Sequence, residues 1–294
     1  MEEYTITQLP NSNVNGDPNS TKYFISNCQQ AVNTALNTNA KAVDWLTVEK
    51  SLKMLQDYDK SRVLKASLKK NNGMVIVKLG DANVKQEYQI AESMKELRGF
   101  MKFICYFACD DNYLEHPGER KTLCKSKGNS MHVIVMPHVE LGSIGDHVWT
   151  PEKIDKLRSL LKQTVLFLLA AWEKKRFFHG DLHAKNILIK RTTYTNINVT
   201  VNNVTYSVET FGVTPVIMDF ENSKYIDQNN QMELQRYYSD FNKLFTLMST
   251  FCKNVKGHWV LSNFVTSLQM KHVLNPIDLI GIMPYIDQHI DVQV

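Results

Sequence analysis

At 294 residues and 33.9 kDa, with 43% hydrophobic and 22% charged side chains, the chain has the composition of a soluble globular protein. That length suits one two-lobed domain or two modest ones and excludes a single small core. A formal net charge of +4 is too mild to demand a nucleic-acid partner, and none is expected.

The first 20 or so residues, rich in Asn, Ser and Pro, read as a loosely anchored arm, and residues 24–56 carry amphipathic stretches predicted to be helical. Beyond Arg62, VLKASLKK, NNG and MVIVKL predict two strands joined by a tight turn. Val84 to Phe100 predicts an amphipathic helix, with Ile90, Met94 and Leu97 on one face and Gly99 near its end. FICYFAC and MHVIVMP predict further strands, separated by a polar insertion at residues 110–130. Thr150, Pro151 and Glu152 mark a helix start. That helix should run to about Lys175, and its centre TVLFLLAAW is apolar nearly all round, as in a buried helix.

Next comes FFHGDLHAKNILIK, a polar loop held between two aromatics and an apolar strand. A hairpin through Asn196 to Val208 and a strand VTPVIMDF follow, and the last 55 residues read as mostly helical. The fold class expected is α+β with two lobes. Residues 1–136 form an N-terminal arm and a small β-rich lobe, and residues 137–294 form a mainly helical lobe.

Five cysteines (Cys28, Cys105, Cys109, Cys124 and Cys252), odd in number and irregularly spaced, predict thiols in a reducing compartment. They do not have tight zinc spacing. The acidic, polar N-terminus predicts no signal peptide. The longest apolar run, Val165 to Trp172, is far short of the roughly 20 residues that span a bilayer. No membrane partner and a cytoplasmic location are therefore expected.

Chemistry concentrates at a few ordered positions. Lys78 ends an apolar strand, Glu87 lies on the following helix, Asp181 and Asn186 share the polar loop, and Asp219 closes VIMDF. Each alone has a structural explanation as a solvated strand end, a water-facing helical acid or a turn cap. Their joint order resembles the eukaryotic-like protein kinase superfamily over residues 60–250. HGDLHAKN is similar to the catalytic-loop pattern H-R-D-L-x-x-x-N, MDFE to the D-F-G segment, and VIVK to the lysine strand V-A-I-K.

Within that superfamily the resemblance is nearest to haspin and to haspin-like Ser/Thr kinases of large DNA viruses. His183 stands as in the D-L-H of haspin, a hairpin insertion spans Lys190 to Pro215, and only a short segment separates Asp219 from Asp240. The resemblance implies an ATP- and Mg2+-dependent protein kinase, monomeric, acting on Ser/Thr hydroxyls of a protein substrate with a basic tail. A viral source would put it in the host cytoplasm or the virion. It also implies residue roles. Asp181 orients the substrate hydroxyl, Lys78 paired with Glu87 holds the α- and β-phosphates, and Asn186 and Asp219 ligate magnesium. Met136, His138 and Val139 meet the adenine, and Asp240 and His179 brace the loop. Lys185, four residues after Asp181, either neutralises the γ-phosphate or has only a surface role. Glu87 is preferred over Glu92 and Glu96 as the partner of Lys78, because Ile90 and Ala91 anchor its face.

The pattern departs from the family at three points. No glycine occurs between Ser51 and Asn72, where a phosphate-covering glycine loop belongs, and Asp57 and Asp59 sit there instead. Gly180 replaces an arginine, and Glu221 replaces the glycine of D-F-G. Two other readings therefore stay open: a pseudokinase that acts as a binding module, and a small-molecule phosphotransferase of the choline or aminoglycoside kinase type.

Overall fold

The computed structural model describes residues 46–48, 56–57, 61–68, 74–109, 131–227, 229–271 and 274–292, which build a mixed α+β protein. The expected N-terminal arm, the NNG turn and the insertion at 110–130 lie outside the described residues. Two compact units divide the chain. The first takes residues up to Lys95 together with Lys102–His138, and the second takes Glu96–Met101 and the chain from Val139 onward.

In the first unit the short strands β1 (Leu46–Val48) and β2 (Gln56–Asp57) both pair antiparallel with β3 (Ser61–Leu68). A helix was expected around Leu46–Val48. The stretch is β-extended because its backbone pairs with Ala66–Leu68, a tertiary contact that overrides weak helical periodicity. β3 pairs with β4 (Met74–Gly80) in the register Val63↔Lys78, and β4 alternates buried with half-buried residues until Val77, after which every residue is buried. Leu64, Ala66, Val75, Val77 and Leu79 fill one apolar face, each 2% exposed or less.

The helix α1 (Ala82–Ser93) follows at once, with the Asp81 carboxylate accepting from Asn83 N–H at 3.0 Å as its N-cap. α1 packs on β4 and on β6 (Met131–Pro137), burying Val84, Glu87, Ile90 and Ala91. β5 (Cys105–Cys109) closes the sheet, whose order is β1-β3-β4-β6-β5. Cys105 is disulfide-bonded, where sequence spacing predicted a thiol. Spacing along the chain does not report which cysteines a fold brings together. Cys252 is a free, buried thiol, and burial pushes it up to about 12.

α1 ends at Ser93 instead of continuing to Phe100. Glu96–Met101, beyond it, belong to the second unit. Gly99 O accepts from Ile217 N–H at 2.7 Å, and Met101 N–H donates to Ile217 O at 2.8 Å. Gly99 has φ +84°, and a Cβ there would lie 1.9 Å from the Phe167 ring, so only glycine suits this crossing.

The second unit is organised round α2 (Ile154–Lys175), preceded by a helical turn at Pro151–Lys153. Leu160, Leu161, Val165, Leu166, Leu169 and Ala171 are fully buried, as its all-round apolar sequence required. The helix closes on Arg176 in the left-handed region at φ +56°. β7 (Phe177–Phe178) leads into the polar loop, and β8 (Ile187–Arg191) leaves it. The hairpin β9 (Asn196–Val201) and β10 (Val204–Glu209) turns on Asn202 and Asn203, with φ +50° and +60°. Two positive φ angles in a two-residue connection match the twist of the flanking strands.

β11 (Val213–Ile217) returns antiparallel to β8, and β12 (Lys224–Tyr225) pairs with β7. The long helix α3 (Gln231–Phe251) starts on Asn230, whose side chain caps Met232 and Glu233. β13 (Val255–Lys256), α4 (His258–Gln269), a helical turn at Pro276–Ile282, α5 (Met283–His289) and β14 (Asp291–Val292) complete the unit. Among the described residues no helix is long and apolar enough to cross a membrane.

Candidate active site

Of the anticipated site residues, Lys78 and Glu87 lie in the first unit and Asp181, Asn186 and Asp219 in the second. In the first unit, Lys78 near the end of β4 meets Glu87 on α1. Lys78 Nζ lies 2.7 Å from Glu87 Oε2, and the side chains are 9% and 1% exposed. Of the other acids considered, Glu92 pairs with Lys95 at 3.7 Å. Glu96 belongs to the second unit. Glu87 faces inward because it stands three residues before Ile90 and three after Val84, on the buried stripe of the helix. Met136 pairs with Ile76 across β4 and β6 and is 4% exposed. His138 N–H reaches Met74 O at 3.4 Å. The first unit ends at His138 and Val139 belongs to the second, two residues beyond the expected boundary.

In the second unit the loop 179–186 is held from below by α3. Asp240 Oδ2 accepts from His179 N–H at 2.9 Å and from Gly180 N–H at 3.1 Å. Burial pushes the Asp240 carboxyl up to about 7, even though backbone N–H groups of Gly180, His179 and Leu182 oppose the shift. His179 is fully buried, and that burial lowers its pKa. Asp181 N–H donates to His179 Nδ1 at 3.3 Å, so Nε2 carries the proton and donates to Met218 O at 2.9 Å. Ser223 Oγ closes the frame on His179 O at 2.8 Å.

The aromatics round this loop form one cluster. Phe177 meets Phe100 edge-on at 5.5 Å and Phe220 at 6.1 Å, and Phe220 meets His179 at 6.0 Å. Phe177 and Phe220 are fully buried. Gly180 has φ +81°, and a Cβ there would stand 2.2 Å from Asn222 O. The glycine that replaces arginine in the sequence pattern is therefore a backbone requirement.

Asn186 is 6% exposed, and its amide nitrogen donates to Asp181 O at 2.9 Å. That bond leaves the amide oxygen as the side-chain atom able to face a cation. Ile187 pairs with Ile217 across β8 and β11, and Met218 N–H donates to Asn186 O at 3.0 Å. This register brings Asp219 beside the start of β8. Asp219 has φ +68°, a conformation that aspartate tolerates better than most residues.

Two hard oxygen donors, a carboxylate and an amide carbonyl, fit magnesium, which completes its shell with water and substrate phosphates. No group of three or more His, Cys, Asp or Glu among the described residues could cage a metal without such help.

The cations near Asp181 come from both the loop and α3. Lys185 lies on the helical turn Ala184–Asn186, between two buried neighbours, and is itself exposed. Its Nζ is 3.8 Å from Asp146 Oδ1 and 5.2 Å from the Phe251 ring. His183 Nε2 is 3.7 Å from Asp181 Oδ2, and Lys243 on α3 makes a direct ion pair with Asp181 Oδ1. His183, together with Lys243, holds the Asp181 carboxyl well below the usual carboxylate range. A separation of 3.7 Å is long for a hydrogen bond, so the direct partner is Lys243. Sequence reasoning missed this lysine, although its place one turn after Asp240, on the face that meets the loop, was a usable signal.

Among known proteins, the chain is 33% identical over 75 residues to an uncharacterized protein of Caenorhabditis elegans, ZK177.2. The match takes in 26% of this chain and 25% of that protein, so the chain spans about a quarter of the length of the curated relative it matches. No family model matches the chain.

Proposed function

We propose that the chain is an ATP- and Mg2+-dependent protein kinase of two-lobed kinase fold, directed at Ser/Thr hydroxyls and nearest to haspin-like enzymes. The observation that carries this reading is the braced loop. Asp240 and His179 fix the backbone of His179, Gly180 and Asp181, and Asn186 is bonded to Asp181 O. Met218 N–H donates to Asn186 O where β8 and β11 meet, and Asp219 follows one residue later. A turn that only reversed the chain direction needs no buried carboxylate beneath it. The buried Lys78–Glu87 pair supports the same reading, since an ordinary strand-end lysine is solvated.

In this reading the substrate hydroxyl oxygen attacks the γ-phosphorus of ATP. The bond from that phosphorus to the β,γ-bridging oxygen breaks, ADP leaves with the electron pair, and the hydroxyl proton passes by way of Asp181 to solvent. Asp181 is a weak base, because its carboxyl is held so far below neutrality. Its main work is to orient the hydroxyl, which suits a loose transition state in which the proton moves late. Asn186 and Asp219 hold Mg2+, which neutralises charge on the phosphates when bound. Lys78, fixed by Glu87, takes the α- and β-phosphates. Met136, His138 and Val139 line the adenine position.

A pseudokinase reading is favoured by one feature, the absence of glycine from residues 51–72, which contain the paired strands β2 and β3. Incubation with labelled ATP and magnesium, with and without a basic acceptor protein, separates the readings. Transfer to protein that Asp181→Asn abolishes supports the kinase. The absence of both transfer and an ATP-induced thermal shift points to a nucleotide-free binding module. Transfer to small amines or sugars but never to protein identifies a small-molecule phosphotransferase.

A further inference from the structure

We propose that Lys243 is the positioning cation of the phosphoryl-transfer site: its ammonium holds the Asp181 carboxylate and offers its remaining donors to the transferred phosphoryl group. This rests on the phosphotransferase reading above and adds a residue 62 positions away from the loop it serves.

The geometry singles out Lys243 among the cations available. A helix places residues three apart on one face, and α3 presents Asp240 and Lys243 to the same loop. Asp240 takes the backbone N–H groups of His179 and Gly180, next to Asp181, while Lys243 takes the Asp181 carboxylate. One helical turn thus fixes the main chain flanking Asp181 and the side chain of Asp181 itself. Lys185, the cation nearest in sequence, is turned toward Asp146 and Phe251. His183 stands at 3.7 Å and tilts against the Phe251 ring at 5.3 Å, with its Nδ1 buried and unbonded.

An ammonium has three donors, and Lys243 commits one to Asp181 Oδ1. Its side chain is 42% exposed and that of Asp181 is 27% exposed, so the pair is open to solvent. During transfer the γ-phosphoryl group exchanges its bond to the ADP oxygen for one to the acceptor oxygen, and negative charge spreads over its peripheral oxygens. A cation already ordered by Asp181 meets that charge without reorganising.

The test compares wild type with Lys243→Met, Lys243→Arg, Asp181→Asn and the Lys243→Met/Asp181→Asn double variant. Lys271→Ala is the surface control, since Lys271, two residues past the end of α4, pairs with Asp278 at 2.8 Å. The expected result for Lys243→Met is a fall in kcat of about 10²-fold, with KM for ATP changed much less. Lys243→Arg recovers part of the loss. The double variant should be no slower than Asp181→Asn alone, because the two groups act as a unit.

A binding readout accompanies activity: wild type should prefer MgATP to MgADP in thermal-shift titrations, and Lys243→Met should lose that preference while keeping its melting temperature in the absence of nucleotide. Additive effects in the double variant, or wild-type kcat and nucleotide preference in Lys243→Met, would overturn the proposal and leave the kinase reading standing. If wild type neither binds nucleotide nor transfers phosphate, the kinase reading fails and the proposal falls with it.

Discussion

Lys78 and Glu87 form an ion pair of 2.7 Å in which neither side chain is more than 9% exposed. Such a pair costs desolvation on both sides and is strongly unbalanced by removing one partner. Glu87→Ala should therefore destabilise the protein by about 3–5 kcal/mol in urea titrations. Lys78→Met combined with Glu87→Leu should recover most of that stability and still lack phosphoryl transfer. Recovery of stability together with activity would show the pair to be purely structural.

Asp240 makes stability depend on pH in a defined direction. Burial raises its folded pKa from 3.8 to about 7, so the folded protein binds a proton there that the unfolded chain has already released. Between those values stability falls as pH rises, by up to about 1.4 kcal/mol per unit, and the contribution is fully present only below the unfolded pKa. Urea midpoints measured from pH 4 to 8 should show this slope in wild type. Asp240→Asn, which cannot ionise, should flatten it.

Gly180 combines φ +81° with a Cβ position 2.2 Å from Asn222 O. Gly180→Ala should cost more than about 1 kcal/mol. It should also lower transfer by up to about 10²-fold, by shifting the adjacent Asp181. Gly180→Arg, which restores the residue usual in the kinase pattern, should do worse. Equal activity in either variant would show that this turn tolerates displacement.

The β9–β10 hairpin offers a stabilising change remote from the site. Asn203 has φ +60°, and glycine is favoured at the second position of such a turn. Asn203→Gly should add roughly 0.5 kcal/mol, read as a rise of one or two degrees in melting temperature, with activity unchanged. A lower melting temperature would mean that the Asn203 side chain itself contributes to the turn.

Much of the fold was legible because it depends on local periodicity. The alternation in MVIVKL, the all-round apolarity of α2 and the paired asparagines of the hairpin each report how one short segment must face its surroundings. The order of Lys78, Glu87, Asp181, Asn186 and Asp219 was legible for a related reason. Each stands at the end of a strand, on a helix face or in a polar loop, where residue type reveals an unusual demand.

What the sequence determined by itself is therefore many of the elements and the polar loop between its aromatic anchors. Tertiary structure decided the rest. α1 stops at Ser93 because Gly99 and Met101 bond to Ile217, more than a hundred residues on. Leu46–Val48 is a strand because β3 supplies its partner. Cys105 is disulfide-bonded, which its spacing did not announce. Above all, Lys243 and not Lys185 meets Asp181, because packing of α3 under the loop outweighs nearness along the chain. A side chain's partner is set by which surfaces pack together, and periodicity shows only that a face is buried, not what buries it.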